Sequence, residues 1–243
     1  MNRRIKNLNV LGVIGARSGS RGIVHKNIQL LAGKPLLAWI TEAAKASPYV
    51  SRLIISTDSP EYAELAKKYG AEAPFLRPAE LATDSMPDFD YLYHAATWLR
   101  DNEGWQADIV LRLPPTTPLC RTEHIDACVQ LLLDDPQADS SRTITPASKH
   151  PYKLWRADGD YIEPFLSEEF TGLKDAHNRP RQSFPQAYQH VDVIALRWST
   201  LVENKAMAGD RVRYHVIPQT DAIDIDSEID FMIAEALLKK RLG

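Results

Sequence analysis

Three basic side chains lie close together in a glycine-rich stretch near the start of the chain. Arg17, Arg21 and Lys26 fall within ten residues, after an apolar run at residues 10–14 that is typical of a strand buried on both faces. Glycines at positions 15, 19 and 22 let the backbone turn sharply and approach a ligand closely. Because guanidinium and ammonium groups bind phosphate oxygens, the pattern predicts a site for a phosphate-bearing polyanion.

This basic stretch fits neither of the common phosphate-binding fingerprints. A Walker loop closes with Gly-Lys-Ser/Thr, which is missing here, and the spacing of the dinucleotide motif Gly-x-Gly-x-x-Gly is also absent. The alternative interpretation is a strand-to-helix loop whose cations are only solvated.

A second group of chemically competent residues lies near the end of the chain, at Asp224 and Asp226. In an extended segment these two carboxylates share one face while Ile223 and Ile225 share the other. Paired carboxylates repel unless a cation lies beside them, and hard oxygen ligands suit Mg²⁺. The alternative is that acidic residues here, namely Asp221, Asp224, Asp226 and Glu228, cap the final helix. Together with the basic stretch, the pair predicts a nucleotidyl-transfer site.

The composition excludes several classes of protein. With 44% hydrophobic and 25% charged residues in a chain of 243, we expect one soluble globular domain over residues 1–243. The net charge of −3 predicts no nucleic-acid partner. No apolar run reaches the roughly 18 residues of a membrane span, so we expect a cytoplasmic protein without a membrane partner. Cys120 and Cys128 are too few for a disulfide framework or a structural zinc site. We expect Cys128 in the core and Cys120 at the edge of a site, without a role as a nucleophile.

The order of the elements predicts an α/β fold with a parallel sheet. Apolar strand patterns at residues 10–14, 52–57, 108–113 and 142–145 alternate with helical patterns at 35–45, 61–69, 89–99 and 123–133, and an amphipathic helix ends the chain. Such alternation favours right-handed crossovers. Residues from about 147 to 200 look irregular, and we interpret them as an inserted dimerisation arm on the sugar side rather than a second domain.

Six ordered motifs, at residues 16–27, 56–58, 75–84, 115–119, 181–188 and 223–231, resemble those of the CMP-acylneuraminate synthetase family. The resemblance covers nearly the whole chain. It implies a single mostly parallel twisted sheet flanked by helices, like that of nucleotide-diphospho-sugar transferases, and a homodimer. It also implies transfer of CMP from CTP to the anomeric hydroxyl of a 2-keto-3-deoxy sugar acid, a sialic-acid-like nonulosonic acid, with release of pyrophosphate.

The resemblance assigns roles to individual residues. Catalytic roles fall on Arg17, Arg21, Lys26 and Asp226, of which Asp226 assists deprotonation of the attacking hydroxyl. Nucleotide contacts fall on Ala16, Arg17, Ser20, Arg21, Lys26, Asn27, Arg77, Ala79 and Asp84. Sugar contacts fall on Pro114, Thr116, Lys153, Arg181, Gln182 and Tyr188, while Asp224 and Asp226 hold Mg²⁺.

Three departures from the family pattern lie on the sugar side. Pro114 stands where a glutamine is usual, Cys120 where an arginine is usual, and the segment 191–195 replaces the typical Asn-Gly-Ala-Ile-Tyr. They leave the acceptor open between N-acetylneuraminate and related acids such as legionaminic acid. A Kdo-specific or other sugar nucleotidyltransferase, and a non-catalytic nucleotide-binding homologue, are the alternatives.

Overall fold

The computed structural model describes residues 8–19 and 22–243. The strands in this part of the chain are β1 (Val10–Gly15), β2 (Leu30–Leu31), β3 (Lys34–Pro35), β4 (Arg52–Ser56), β5 (Ile109–Leu113), β6 (Ser140–Pro146), β7 (Trp155–Asp158), β8 (Tyr161–Pro164), β9 (Tyr188–Arg197) and β10 (Val212–Val216). Six of them form the main sheet in the spatial order β10, β6, β9, β5, β1, β4. Strand β1 is parallel to β4 and β5, and β10 is parallel to β6, whereas β9 runs antiparallel to both of its neighbours. The predicted mostly parallel sheet is confirmed.

The α-helices of the described residues are α1 (Leu36–Lys45), α2 (Pro60–Tyr69), α3 (Asp88–Glu103), α4 (Thr122–Asp134), the short α5 (Glu168–Thr171) and α6 (Glu228–Leu242). Their ends follow local chemistry. The Ser59 hydroxyl accepts the backbone N–H of Tyr62 at the start of α2, and Gly70, with φ of 100°, ends that helix. Among these helices none combines the length and apolar character needed to cross a membrane.

The core lies on both faces of the sheet, as the apolar run at β1 predicts. Alternate residues of β1 point to opposite sides. Val10 and Ile14 pack in one cluster, with α1, α2 and α4, whereas Leu11 and Val13 pack in another, with α3. Both cysteines are buried and neither forms a disulfide.

The segment predicted as an arm, residues 147–200, includes a strand of the main sheet. Residues 188–197 were assigned to it, but they form β9, a ten-residue strand between β5 and β6. Val193 to Leu196 are almost fully buried, because β9 pairs with β5 on one side and with β6 on the other. The irregular segment is therefore limited to about residues 147–187, where the hairpin β7–β8 and the short helix α5 lie. The edge strand β10 was not predicted at all.

Tight packing around Gly15 gives a test of this core. A Cβ atom at Gly15 would lie 2.6 Å from the ring of Tyr91, which is only 6% exposed. We expect Gly15→Ala to lower the free energy of unfolding by about 1–3 kcal/mol, because overpacking forces the ring to move. Urea denaturation measures the change. Gly19→Ala is the matched control, since its nearest neighbour would be 3.7 Å away; equal losses in the two variants would contradict the packing argument.

Candidate active site

Five of the predicted site residues, Arg17, Lys26, Asn27, Thr116 and Asp226, meet at the carboxyl edge of the sheet. The chain leaves β1 for β4 on one side and then returns to β5 on the other side of β1. Loops that follow β1 and β5 therefore diverge and leave a crevice, which is where open α/β sheets bind ligands. Gly15, Arg17, Gly22, Lys26, Asn27, Thr116 and Asp226 line this crevice, here called the phosphate cleft.

The basic loop reaches the acidic segment through Lys26. The side chain of Lys26 is 12% exposed. The ammonium group of Lys26 donates to the backbone oxygen of Ile225 and lies 3.5 Å from a carboxylate oxygen of Asp226. Arg17 instead pairs with Asp84 and donates to the carbonyl of Gly19. The structure thus brings together four of the predicted residues from three distant parts of the chain. Ser20 and Arg21 lie outside the described residues.

Gly22 shapes the contact between the two segments. A Cβ atom at this position would lie 2.6 Å from the backbone oxygen of Asp226. Real Cβ atoms do not approach a backbone oxygen so closely, and a backbone cannot yield as a flexible side chain does. The glycine is therefore needed for close approach of the basic loop to the acidic segment.

The acidic segment alternates as predicted. Ile225 is fully buried and its N–H donates to the Thr116 carbonyl over 2.8 Å, whereas Asp224 and Asp226 are exposed. Although solvent reaches Asp224, protein atoms around it desolvate its carboxylate and raise its pKa, and the charge of Asp226 adds to this effect. A hydrogen bond from Thr116 and the charge of Lys26 act in the opposite direction.

The alternative that these carboxylates cap the last helix is wrong. Ser227 is the N-cap of α6, and it exchanges hydrogen bonds with Asp230 in a capping box. Asp221 is 2% exposed and forms ion pairs with Arg121 and Arg241. Asp224 and Asp226 consequently remain directed to the surface with no structural role in the helix.

A second cleft is lined in part by Asp224, two residues before the Asp226 of the phosphate cleft. It has a volume of about 470 Å³ and is lined by the ends of β6 and β9 and by residues 219–224. Gln189 and His190 contribute polar groups to its wall. Burial lowers the pKa of His190 to about 4, so this imidazole is neutral near pH 7. We call this space, which borders Asp224 of the carboxylate pair, the acceptor cleft.

Several residues assigned to the nucleotide also support the loops. Asn27 is 5% exposed and donates its amide N–H to the carbonyl of Arg17, and Ala16 is fully buried with its N–H on the Ser56 carbonyl. Arg77 is 6% exposed, donates to the hydroxyl and carbonyl of Ser56 and lies over the ring of Tyr91. Ala79 is exposed at the start of a short 3₁₀ turn.

Most residues assigned to the sugar lie away from the two clefts. Pro114 is buried, and only Thr116 reaches a cleft wall. Lys153 donates to the His177 carbonyl, and Arg181 donates to the carbonyls of Ala147 and Ser148, all within the irregular segment. Gln182 lines a separate depression beside Arg181, and Tyr188 packs near Tyr214.

One residue that supports the site was missed as such. Asp58, to which the sequence analysis gave no role of its own, accepts the backbone N–H and the hydroxyl of Ser18 over 2.8 and 2.7 Å. It therefore fixes the basic loop to the end of β4. Burial alone would raise the pKa of Asp58, but the hydrogen bonds from Ser18 and the charge of Arg77 hold it below its usual value. The signal in the sequence was the motif at residues 56–58.

The lowered pKa of Asp58 predicts a pH-dependent contribution to stability. The ionised carboxylate stabilises the fold above its unfolded pKa of about 3.9, and this contribution is lost as the pH falls through the lower folded value. We expect Asp58→Asn to reduce the free energy of unfolding at neutral pH, with a difference from the native chain that shrinks in acid. Urea titrations at several pH values measure this. The exposed Asp160→Asn in the β7–β8 turn is the control; a pH-independent loss in Asp58→Asn would contradict the ionic role.

Comparisons with known proteins show which family the chain resembles. The chain is 30% identical to an N-acylneuraminate cytidylyltransferase of Escherichia coli O18:K1:H7, over 96% of this chain and 52% of that protein. It is also 30% identical to a CMP-N,N'-diacetyllegionaminic acid synthase of Legionella pneumophila, over 96% of this chain and 97% of that one.

A solved structure of CMP:2-keto-3-deoxy-manno-octonic acid synthetase complexed with CTP superimposes with a TM-score of 0.68. It covers 96% of this chain and 99% of that chain at 18% identity, so it supports the fold alone. Residues 11–154 match the sequence profile described as cytidylyltransferase. With the full-length relative at 30% identity, this match shows that the chain belongs to the cytidylyltransferase family.

Proposed function

We propose that this protein transfers CMP from CTP to the anomeric hydroxyl of a 2-keto-3-deoxy sugar acid of the nonulosonic acid class and releases pyrophosphate. One observation carries the proposal: Lys26 of the basic loop bonds to the backbone between two aspartates that face solvent. Cations that would hold a triphosphate lie next to carboxylates that would hold a metal, and Asp224 also lines the acceptor cleft, which supports the proposal. The names of the two relatives support the choice of acceptor class.

The basic loop would bind the triphosphate. Arg17 and Lys26 both line the phosphate cleft, and each already contacts an oxygen of the protein. Phosphate oxygens would compete for these donors. Arg17 would bind them through a bidentate fork, and Lys26 would attract them as a point charge. The pairing of Arg17 with Asp84 holds the guanidinium near the cleft before the nucleotide arrives. Arg21, assigned to the same task, remains a proposal.

The carboxylate pair fits Mg²⁺. Both groups are hard oxygen donors on one side of an extended segment. Burial, and in smaller part the charge of Asp226, raises the pKa of Asp224, and a cation beside the pair would offset both effects. Bound Mg²⁺ would neutralise charge that develops on the phosphates. Asp226 would assist deprotonation of the attacking hydroxyl, the role that the resemblance implies, and Asp224 lines the acceptor cleft.

The irregular segment supports a homodimer. Four large apolar side chains there are 56–79% exposed: Tyr161, Ile162, Phe165 and Phe170. Exposed apolar groups of this size, close together in sequence, are typical of a surface that another chain covers. We infer that residues 147–187 pack on a second copy. A reaction that consumes CTP also favours a cytoplasmic location.

The proposed reaction is tested by release of pyrophosphate from CTP and Mg²⁺ with a panel of acceptors: N-acetylneuraminate, legionaminate, pseudaminate, deaminated sialic acid and Kdo. We expect release with one nonulosonic acid and a loss of at least about 100-fold in kcat for Asp226→Ala, because a metal ligand is removed. Glu228→Gln, an exposed change two residues away, is the matched control and should retain activity. Release with Kdo alone would show that the acceptor is not a nonulosonic acid. Measurable CTP binding without turnover on any acceptor would overturn the proposal.

Substitution of Gly22 tests the contact between loop and acidic segment. We expect Gly22→Ala to raise KM for CTP about tenfold or more, since the added methyl forces the basic loop away from the Asp226 backbone and misplaces its cations. Steady-state kinetics at saturating acceptor measures the effect. Gly19→Ala lies in the same loop without such a contact, and a similar rise in KM in both variants would contradict the steric explanation.

A further inference from the structure

A cysteine, a histidine and an aspartate converge in the interior beside the site. Cys120 precedes α4, His124 lies in the first turn of α4, and Asp192 lies in β9. They are 5%, 5% and 1% exposed, respectively. One ligand atom from each, the sulfur, an imidazole nitrogen and a carboxylate oxygen, lies within 4.8 Å of the other two. None of the three has a role in the proposed transfer of CMP.

Asp192 is the unusual member of the cluster. Both of its carboxylate oxygens are buried, and within the described residues neither has a hydrogen-bond partner. The Thr117 hydroxyl lies nearby and donates to the Pro114 carbonyl over 3.1 Å. Burial of an unpaired carboxylate is strongly unfavourable unless a proton or a cation neutralises it. The side chain is directed at His124, whose Nδ1 is 3.5 Å from its Oδ2 atom.

We propose that Cys120, His124 and Asp192 bind one Zn²⁺ ion, a site separate from the Mg²⁺ site at Asp224 and Asp226. Sulfur, imidazole and carboxylate form a mixed donor set suited to a thiophilic divalent ion, whereas Mg²⁺ prefers oxygen ligands only. A thiolate and a carboxylate also balance the two positive charges. Three protein ligands leave a fourth tetrahedral position for water.

The surroundings of His124 support its orientation as a ligand. Its Nε2 atom faces Asp221, with 3.6 Å between the nitrogen and Oδ2. Asp221 is held by Arg121 at 2.8 Å and by Arg241 at 2.7 Å. Histidines that bind a metal usually donate their second nitrogen to such a fixed carboxylate. The Nδ1 atom now accepts the Arg121 backbone N–H over a long 3.3 Å, and this contact would yield to the metal.

The position of the cluster suggests what the metal would do. It would join the turn after β5 to strand β9, and Val191, next to Asp192, lines the acceptor cleft. Cys120 and the segment that contains Asp192 are two of the three places where the sequence departs from the CMP-acylneuraminate synthetase pattern. The same substitutions that remove expected sugar contacts therefore supply the ligands. Zinc would fix the wall of the acceptor cleft that those contacts otherwise form.

The test is the metal content and spectrum of the full-length protein. The chain is expressed without a metal-affinity tag in minimal medium supplemented with Zn²⁺ or Co²⁺, and purified with excess Mg²⁺ to occupy oxygen-only sites. We expect one zinc per chain by elemental analysis, a higher melting temperature than the chelator-treated form, and a thiolate-to-cobalt charge-transfer band in the Co²⁺ form. The band reports only an ion bound to sulfur, so it ignores the Asp224 and Asp226 site.

Three variants separate the possibilities. Cys120→Ser should lose the charge-transfer band and the bound zinc, and the isosteric Asp192→Asn should lose most of the zinc while keeping the fold by circular dichroism. Cys128→Ser changes the other buried cysteine, which lies outside the cluster, and should keep both signals. If the native chain carries no more zinc than Cys120→Ser, or if Cys128→Ser alone abolishes the band, the site is refuted. These readouts do not depend on turnover, so they are distinguishable from failure of the proposed function.

Discussion

Opposite charges held at close range across the carboxyl edge of the sheet are the central constraint on this structure. Lys26 comes from the loop after β1, and the aspartate pair comes from the segment before α6. Bringing them together requires that Ile225 be anchored to the β5 turn and that Gly22 offer no side chain. Coulomb attraction alone is weak at such an exposed position. The backbone contacts, not the ion pair, set the geometry.

The supporting residues explain why so few of the site's polar groups are free to move. Asp58 holds Ser18, Asn27 holds Arg17, and Arg77 fixes the end of β4 against Tyr91. A buried guanidinium or amide whose donors are all satisfied makes a rigid support. Rigid supports hold the cations near the positions that phosphates would occupy, which reduces the reorganisation of the side chains on binding.

The wall of the acceptor cleft is built from other elements than the phosphate cleft. There the wall is built by β9 and the ends of β6, and its polar groups include a neutral His190. The residues expected to bind a sugar, such as Lys153 and Arg181, instead hold the irregular segment together through backbone carbonyls. A second subunit that packs on this segment would be the simplest way for it to contribute to a site. A metal ion bound by the proposed cluster of Cys120, His124 and Asp192 would join the β5 turn to β9.

The sequence by itself determined the helices, the parallel strands and the two charged segments, because hydrophobic period, caps and alternation are local properties of the chain. It correctly placed Ile225 inward and Asp224 outward on this basis. It did not reveal that residues 188–197 form a central antiparallel strand, nor that β10 closes the edge, because strand pairing depends on partners far away in sequence. Only the tertiary structure decided which polar residues are buried supports and which face a cleft. Arg77 and Asp192 are buried, whereas Arg17 and Asp226, which have the same side chains, line a cleft. The difference depends on how neighbouring elements pack and not on residue type.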